Sequence, residues 1–191
     1  HDVLVGLRLE DLNTPGLKIG TGSNRRRALL LDRYPHLEVC GIRGNIDTRV
    51  AKIGDVVDGV ILAAAGLERL GGFSEVQTPL STDWMTPAAA QGCLALEARK
   101  ADAQTLEILA AVHDTPTYAC VTAERAFLAE LGSGCSMPAG ALCTYEGGML
   151  SFDAFYAHSD GLHRVHLKAD ALHAPALGRK AAQEVGPPSE P

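Results

Sequence analysis

The chain has 191 residues, of which 46% are hydrophobic and 5% aromatic, and its formal net charge at pH 7 is −6. This length is enough for one large domain or two small ones, each with a buried core. The acidic balance argues against nucleic acid as a main partner, because phosphate binding needs a basic face. No apolar run approaches the roughly 18 residues that span a bilayer, so we expect no membrane insertion.

Cysteine usage points to a reducing compartment. The five cysteines are an odd number without Cys-x-x-Cys spacing, which favours free thiols over a disulfide framework. The same spacing indicates no zinc site, and we expect no metal. The chain begins with His1 rather than methionine, which favours a partial or processed chain.

The first part of the chain alternates strand and helix patterns. Residues 17–19 and 37–42 are short strand patterns, and residues 56–65 form an apolar run typical of a strand buried on both faces. Residues 24–34 have helical spacing, and a second short helix is predicted after the turn at 43–49. This order predicts a parallel α/β sheet whose ligand-binding groups lie at the carboxyl ends of its strands.

The second part has a different pattern. Turn residues at 72–87 indicate a connection between domains, and residues 92–98 are predicted to be a strand in another layer. Residues 103–113 and 119–131 are helix patterns.

The C-terminal third predicts an antiparallel sheet. Strand patterns at 141–145 and 149–152 flank a turn at 146–148, and residues 162–167 form a further arm. The proline-rich tail, 186–191, is expected to be disordered.

Arginines follow three successive strand ends of the first part. Thr21 and Ser23 lie in a turn before Arg25 and Arg26, so hydroxyls and helix N-terminal N–H groups are combined with guanidinium groups. Arg43 and Arg49 follow the next strand, and Arg69 follows the third. Because the carboxyl ends of parallel strands meet at one edge, this spacing favours a site for a carboxylate or phosphate ligand. A solvated charged face is the alternative interpretation.

Cys135 lies among small residues just beyond the predicted helix at 119–131. The neighbouring glycines leave room for a bulky group to approach the sulfur. The alternative is a small buried hydrophobic residue. A hydrolase nucleophile is disfavoured, because no accompanying His/Asn pattern is evident. The histidines at 158, 163 and 166 are predicted to be solvated rather than metal ligands, since 163 and 166 point to opposite faces of a strand.

These segments resemble the hydroxymethylbilane synthase family, also called porphobilinogen deaminases. The order and spacing of the motifs agree across most of residues 1–145. The matching segments are 19–26 (IGTGSNRR), 43–49 (RGNIDTR), 58–71 (DGVILAAAGLERLG), 87–92 (PAAAQG), 124–127 (ERAF) and 134–140 (GCSMPAG).

The resemblance implies a transferase of tetrapyrrole (porphyrin and heme) biosynthesis that joins four porphobilinogens head to tail with release of ammonia. It implies that Cys135 holds a dipyrromethane cofactor through a thioether and that porphobilinogen and the growing polypyrrole chain are the ligands. The family's carboxylate-binding arginines match Arg25, Arg26, Arg43 and Arg49. Neighbouring family contacts match Thr21, Ser23, Gly44 and Gln91.

The resemblance also implies an architecture and a location. We expect a periplasmic-binding-protein-like α/β domain with a parallel or mixed sheet, followed by a small α+β domain with an antiparallel sheet. The expected parts are a polypyrrole-binding domain at 1–84, a segment at 85–115 that returns to an absent first domain, a cysteine-bearing domain at 116–185 and the tail at 186–191. The complete protein is expected to be a cytoplasmic monomer, with the plastid stroma as the alternative compartment.

Catalysis is where the chain departs from the family pattern. No acidic residue here matches the family aspartate that stabilises cationic pyrrole intermediates, so we assign no catalytic residue and expect turnover only together with the absent first domain. The competing hypothesis is a stand-alone binding module that holds linear pyrroles or other polycarboxylates without chemistry.

Overall fold

A mixed five-stranded sheet forms the first part of the molecule, in a computed structural model that describes residues 1–71, 75–132 and 137–186. The strand order is β3-β2-β4-β1-β5. The strands are β1 (Asp2–Val5), β2 (Lys18–Gly20), β3 (Glu38–Cys40), β4 (Gly59–Ala63) and β5 (Gln77–Pro79). The helices between them are α1 (Asn24–Arg33), α2 (Ile46–Val50) and α3 (Ala64–Arg69).

The sheet is mixed, which the expectation of a parallel or mixed sheet allowed, although the strand–helix alternation alone predicted a parallel one. Strands β2, β3 and β4 are parallel, but β1 runs antiparallel to both β4 and β5. The sequence pattern of β1 is only four residues long, and all four are buried, so it has no alternation that would mark it as a strand. Strand β5 ends with Pro79 at the sheet edge, where a missing N–H costs no ladder bond.

Helix α1 begins where a cap and an apolar face coincide. The Ser23 Oγ accepts a hydrogen bond from the Arg26 N–H at 3.4 Å, as an N-cap does. Leu29 and Leu30 then pack into a core shared with Leu4 and Ile19. The helix axis therefore starts at the carboxyl end of β2 and presents its first turn to that edge of the sheet.

The strand predicted at residues 92–98 does not form. Residues 93–99 are irregular, and Leu94 and Leu96 are 75% and 62% exposed. The segment is mostly apolar, but a strand needs a hydrogen-bonded neighbour, and no described strand pairs with residues 93–99. The next helix, α4 (Ala103–Ala110), likewise has no buried residue.

A three-stranded antiparallel sheet forms the C-terminal part, as predicted. The elements are α5 (Thr115–Glu130), β6 (Ala139–Glu146), β7 (Met149–His158), β8 (Gly161–Asp170) and α6 (Ala174–Val185). Gly147 and Gly148 both have positive φ and close the hairpin between β6 and β7. Helices α5 and α6 cover one face of the sheet, and a Cβ at Gly178 would overlap the Ala123 carbonyl, so glycine permits their close contact.

The two sheets are joined by side-chain packing, and β6 is also hydrogen-bonded to the segment that follows β5. Phe155 of β7 is fully buried and packs into the core of the first sheet. The Ala141 N–H of β6 donates to the Pro87 carbonyl at 3.0 Å. Within the described part of the chain, no helix has the length and apolarity to cross a bilayer. Of the tail expected to be disordered, residues 187–191 lie outside the described residues.

Candidate anion-binding site

Arg25 and Arg26 converge on a single buried carboxylate, that of Asp2. The Arg26 Nη2 donates to the Asp2 Oδ1 at 2.7 Å, and its Nε donates to the Oδ2 at 3.2 Å. The Arg25 Nη2 donates to the same Oδ2 at 2.7 Å. Both arginines are in the first turn of α1, and Asp2 begins β1, so the cluster joins the helix to the sheet.

Asp2 is ionised in this cluster despite its burial. The side chain is 0% exposed, and burial alone would raise its pKa. Hydrogen bonds from Arg26 and the charges of Arg25 and Arg26 outweigh burial and lower the pKa below its usual value. Burial lowers the pKa of Arg25, but an arginine stays charged at neutral pH. Two guanidinium ions and one carboxylate therefore give the cluster a net charge of +1.

The remaining contacts hold the two guanidinium groups in place. The Arg25 Nη1 donates to the Thr86 carbonyl at 2.6 Å, and the Arg26 Nη1 donates to the Ile61 carbonyl at 2.9 Å. Gln91 connects the cluster to the following segment: its Nε2 donates to the Asp2 Oδ1 at 3.0 Å, and its Oε1 accepts from Arg25 at 3.4 Å. The Nε and Nη2 donors of Arg26 both bind Asp2, so this two-point contact is not available to a ligand carboxylate.

Thr21 and Ser23 form the turn that leads into these arginines. The Thr21 N–H donates to the Cys40 carbonyl at 2.9 Å, which places the turn beside the carboxyl end of β3. The Thr21 Oγ1 accepts from the Ser23 N–H at 3.2 Å, and Ser23 caps α1. Thr21 is buried and Ser23 is half-buried. In this structure both hydroxyls serve the local backbone.

Arg43, Gly44 and Arg49 form a second, more open group after β3. Arg43 is exposed and Arg49 is half-buried. The Arg49 Nε donates to the Gly44 carbonyl at 2.8 Å, which orients the guanidinium over the loop. Gly44 has φ +119°, and a Cβ there would lie 2.7 Å from the Thr48 Cγ2, so the loop requires glycine. Arg69, at the end of α3, is also exposed.

Cys135 lies outside the described residues, between α5 and β6. Two other thiols are poor candidates for an anchor. Cys120 and Cys143 are buried, and burial raises the pKa of both, which suppresses the nucleophilic thiolate. Cys40 and Cys93 are half-buried.

The C-terminal histidines bind local partners. The His166 Nδ1 lies 2.8 Å from the Asp153 Oδ1, and the His163 Nε2 lies 3.3 Å from the Asp160 Oδ1. The His158 Nε2 lies 2.7 Å from the Val185 carbonyl oxygen. Across the described ranges, no three His, Cys, Asp or Glu side chains are grouped as metal ligands would be.

Sequence reasoning missed Asp2, Thr86 and Glu124, which is buried against the segment carrying Gln91. Asp2 carried a usable signal: an acidic residue at the head of the apolar run Val3-Leu4-Val5 must find a cationic partner if that run is buried. Thr86 contributes only a backbone carbonyl, which no side-chain pattern reveals.

Comparison with known proteins places these groups in a family context. Residues 1–107 match the family profile described as porphobilinogen deaminase, dipyromethane cofactor binding domain, and residues 118–186 match the porphobilinogen deaminase C-terminal domain. All residues of the arginine cluster and Gln91 lie in the first match. Cys135 lies in the second.

Curated relatives agree with the two profiles. The chain is 41% identical over 171 residues to porphobilinogen deaminase of Macrococcus caseolyticus, an alignment covering 88% of this chain and 56% of that protein. It is 40% identical over 181 residues to the enzyme of Thiobacillus denitrificans, covering 93% and 59%. For Thermus thermophilus the identity is 42% over 192 residues, covering 97% and 64%. The chain thus spans somewhat more than half the length of these relatives, and it belongs to the porphobilinogen deaminase family.

Proposed function

We propose that this chain is the polypyrrole-binding and cofactor-bearing part of a porphobilinogen deaminase, the transferase that makes hydroxymethylbilane from four porphobilinogens. The observation that carries the proposal is the group of guanidiniums around the carboxyl ends of β2 and β3, within the region that matches the cofactor-binding domain. Porphobilinogen carries an acetate and a propionate, so each added unit brings two carboxylates to a site lined by the guanidinium groups of these arginines.

The residues present fit a dipyrromethane group. Arg43 and Arg49 offer guanidiniums that are at least partly open to solvent. When bound, the dipyrromethane supplies the pyrrole terminus to which porphobilinogen units are added. We propose that Cys135 holds it through a thioether, because Cys135 lies in the segment 134–140 that resembles the family's cofactor-bearing motif and within the match to the family's C-terminal domain.

The arginines divide the work of carboxylate binding. Arg43 and Arg49 would bind ligand carboxylates directly, because charge-assisted hydrogen bonds to an accessible guanidinium need little rearrangement. Arg25 and Arg26 would act mainly as a fixed buried charge of +1 behind the ligand, since Asp2 occupies their shortest contacts. Thr21, Ser23 and Gln91 would keep this charge in position through the turn before α1 and the segment after Thr86.

Residues 85–115 would pack against a region that the relatives have and that lies outside the part aligned with this chain. Leu94, Leu96 and Ile108 are exposed by 75%, 62% and 64%, and no described strand pairs with residues 93–99. Exposed apolar side chains at this density are typical of a surface that is covered in the complete protein. The same observation supports the expected treatment of residues 85–115 as a part separate from 1–84 and 116–185.

The test is turnover of porphobilinogen by the natural gene product. We expect ammonia release and hydroxymethylbilane formation, and both should fall steeply when Arg43 and Arg49 are replaced by leucine. Tight binding of linear pyrroles without any ammonia release would instead support a binding module and would contradict the enzyme assignment.

A further inference from the structure

The turn at residues 86–91 lies between the C-terminal sheet and the arginine cluster. On one side, the Pro87 carbonyl accepts a hydrogen bond from the Ala141 N–H of β6 at 3.0 Å. Gly140 allows this contact: a Cβ there would lie 2.7 Å from the Pro87 carbonyl oxygen and 2.7 Å from the Phe155 ring. The first residues of β6 are therefore fitted closely against the start of the turn.

Glu124 holds the other end of the same turn. This glutamate is 6% exposed, and its Oε2 accepts a hydrogen bond from the Ala90 N–H at 2.6 Å. Its Oε1 accepts from the Cys143 N–H of β6 at 2.7 Å. One buried carboxylate on α5 thus binds both the turn and β6, and two acceptor oxygens are needed to satisfy two backbone donors.

Ala90 has an unusual backbone conformation. Its φ is +62°, and it is the one non-glycine residue with positive φ among residues 1–71, 75–132 and 137–186. Alanine disfavours this region, so the conformation persists only where surrounding contacts impose it. The Glu124 hydrogen bond to the Ala90 N–H is such a contact.

The turn acts on Arg25 from both of its ends. The Thr86 carbonyl accepts from the Arg25 Nη1 at 2.6 Å, and the Gln91 side chain contacts both Arg25 and Asp2. The direction of the Gln91 side chain depends on the backbone of Ala90, the residue before it. A change at Glu124 therefore reaches Arg25 through the backbone of Ala90 and Gln91 and through the hydrogen bonds of the Gln91 side chain to Asp2 at 3.0 Å and to Arg25 at 3.4 Å.

We propose that Glu124 is a positioning residue, which fixes the left-handed turn at Ala90 and so holds Gln91 and the Thr86 carbonyl against Arg25. Because Glu124 also binds the Cys143 N–H, the turn is coupled to β6 as well as to the arginine cluster. The functional part of this inference rests on the proposed function. The structural part, coupling from Glu124 to Arg25, does not.

Two measurements on the natural gene product test these parts separately. In Glu124→Gln, an amide NH₂ group replaces one carboxylate oxygen, so either the Ala90 N–H or the Cys143 N–H faces a donor and loses its acceptor. By ¹⁵N-edited NMR of the guanidinium groups, we expect the Arg25 Nη protons to exchange with solvent about tenfold faster than in the unaltered protein. Ala90→Val, which keeps Glu124 but disfavours positive φ, should give the same change and serves if Glu124→Gln does not fold. Unchanged Arg25 exchange in a folded variant overturns the proposal, whatever the protein's activity.

The kinetic measurement is a double-mutant cycle between Glu124→Gln and Gln91→Ala. We expect each single change to raise KM for porphobilinogen and to leave kcat within roughly twofold of the unaltered value. The KM of the double variant should exceed that of the more affected single variant by no more than about twofold, because both changes act on the same set of contacts. The control is Phe152→Leu, a fully buried apolar residue in the C-terminal core. Its effect should combine with Gln91→Ala additively. Additive effects for Glu124 as well would contradict positioning through Gln91.

Discussion

Arg26 binds both carboxylate oxygens of Asp2, with its Nη2 at 2.7 Å from Oδ1 and its Nε at 3.2 Å from Oδ2. The two residues are 24 positions apart, yet this pair joins the first strand to the first helix. This pair also determines which arginines can bind a ligand, because a guanidinium whose Nε and Nη2 donors both bind a protein carboxylate cannot make the same two-point contact with a ligand. The site is therefore a buried fixed charge with a separate accessible pair.

Replacing Asp2 by asparagine should destabilise the fold. The change leaves two buried arginines without a counter-charge, and breaking a buried pair typically costs about 3–5 kcal/mol in the free energy of unfolding. Urea denaturation followed by circular dichroism measures this quantity. Asp55→Asn, at an exposed carboxylate, is the matched control and should change it by less than about 0.5 kcal/mol. Equal values for the two variants would contradict an ionised, structural Asp2.

The same carboxylate should contribute to acid sensitivity. The pKa of Asp2 is lower in the folded protein than in the unfolded chain, so its stabilising contribution is complete above the unfolded pKa of about 3.9 and is lost as pH falls through the folded value. The Asp2→Asn variant should therefore lose less stability than the unaltered protein between about pH 4 and pH 2. Parallel stability curves for the two proteins over this range would contradict the prediction.

Glu124 should contribute a pH dependence of stability opposite in sign to that of Asp2. Burial raises its pKa, although hydrogen bonds from the Ala90 and Cys143 N–H groups oppose the rise. The folded protein then holds this proton more tightly than the unfolded chain, so stability should fall as pH rises from about 4.3 through the folded pKa. The Glu124→Gln variant should lack this decline. A decline of the same size in both proteins would assign it to other groups.

Changes to the accessible arginines should act on binding rather than on folding. Arg49→Leu should weaken the retention of a polypyrrole carboxylate by about 1.5 kcal/mol, roughly tenfold in affinity, with little change in the midpoint of urea denaturation. Arg179→Leu, at an exposed position on α6 outside the cluster, is the control and should leave affinity unchanged. Isothermal titration with a linear tetrapyrrole measures the difference. An equal effect of both changes would mean that only net charge matters.

Arg26→Lys should separate the buried arginines from the accessible ones. Lysine keeps the charge but cannot reproduce the two-point contact with Asp2 or the bond to the Ile61 carbonyl, so we expect a loss of about 2 kcal/mol in the free energy of unfolding. The same replacement at exposed Arg43 should leave stability within about 0.5 kcal/mol. Thermal unfolding of the two variants provides the comparison.

The elements that could be predicted from sequence are those defined by local signals. Helix α1 follows a serine cap, β4 lies in a continuous apolar run, and the hairpin of β6 and β7 has Gly147-Gly148 at its turn. Strand β1 was missed and the strand at 92–98 was wrong for one physical reason. Pairing with a distant strand decides both, and a short apolar pattern does not reveal whether such a partner exists.

In the candidate site too, the sequence predicted the local groupings of residues but not their long-range partners. The residues before and within the first turn of α1 come together because they are close in the chain. Their partners are distant: Asp2 precedes them by more than 20 residues, and Gln91 follows by more than 60. Sequence motifs indicated which side chains carry charge, whereas the division between a buried pair and an accessible pair depends on long-range contacts that only the fold defines.

The central proposal is that Cys135 carries a covalent polypyrrole group whose carboxylates bind the accessible arginines. The most direct test is the intact mass of the natural gene product, recovered from its source without a tag, compared with the mass of its Cys135→Ser variant. We expect the unaltered protein to exceed its sequence mass by one dipyrromethane and the variant to show no increment. An unaltered protein at its bare sequence mass, or an increment that survives in Cys135→Ser, would contradict the account.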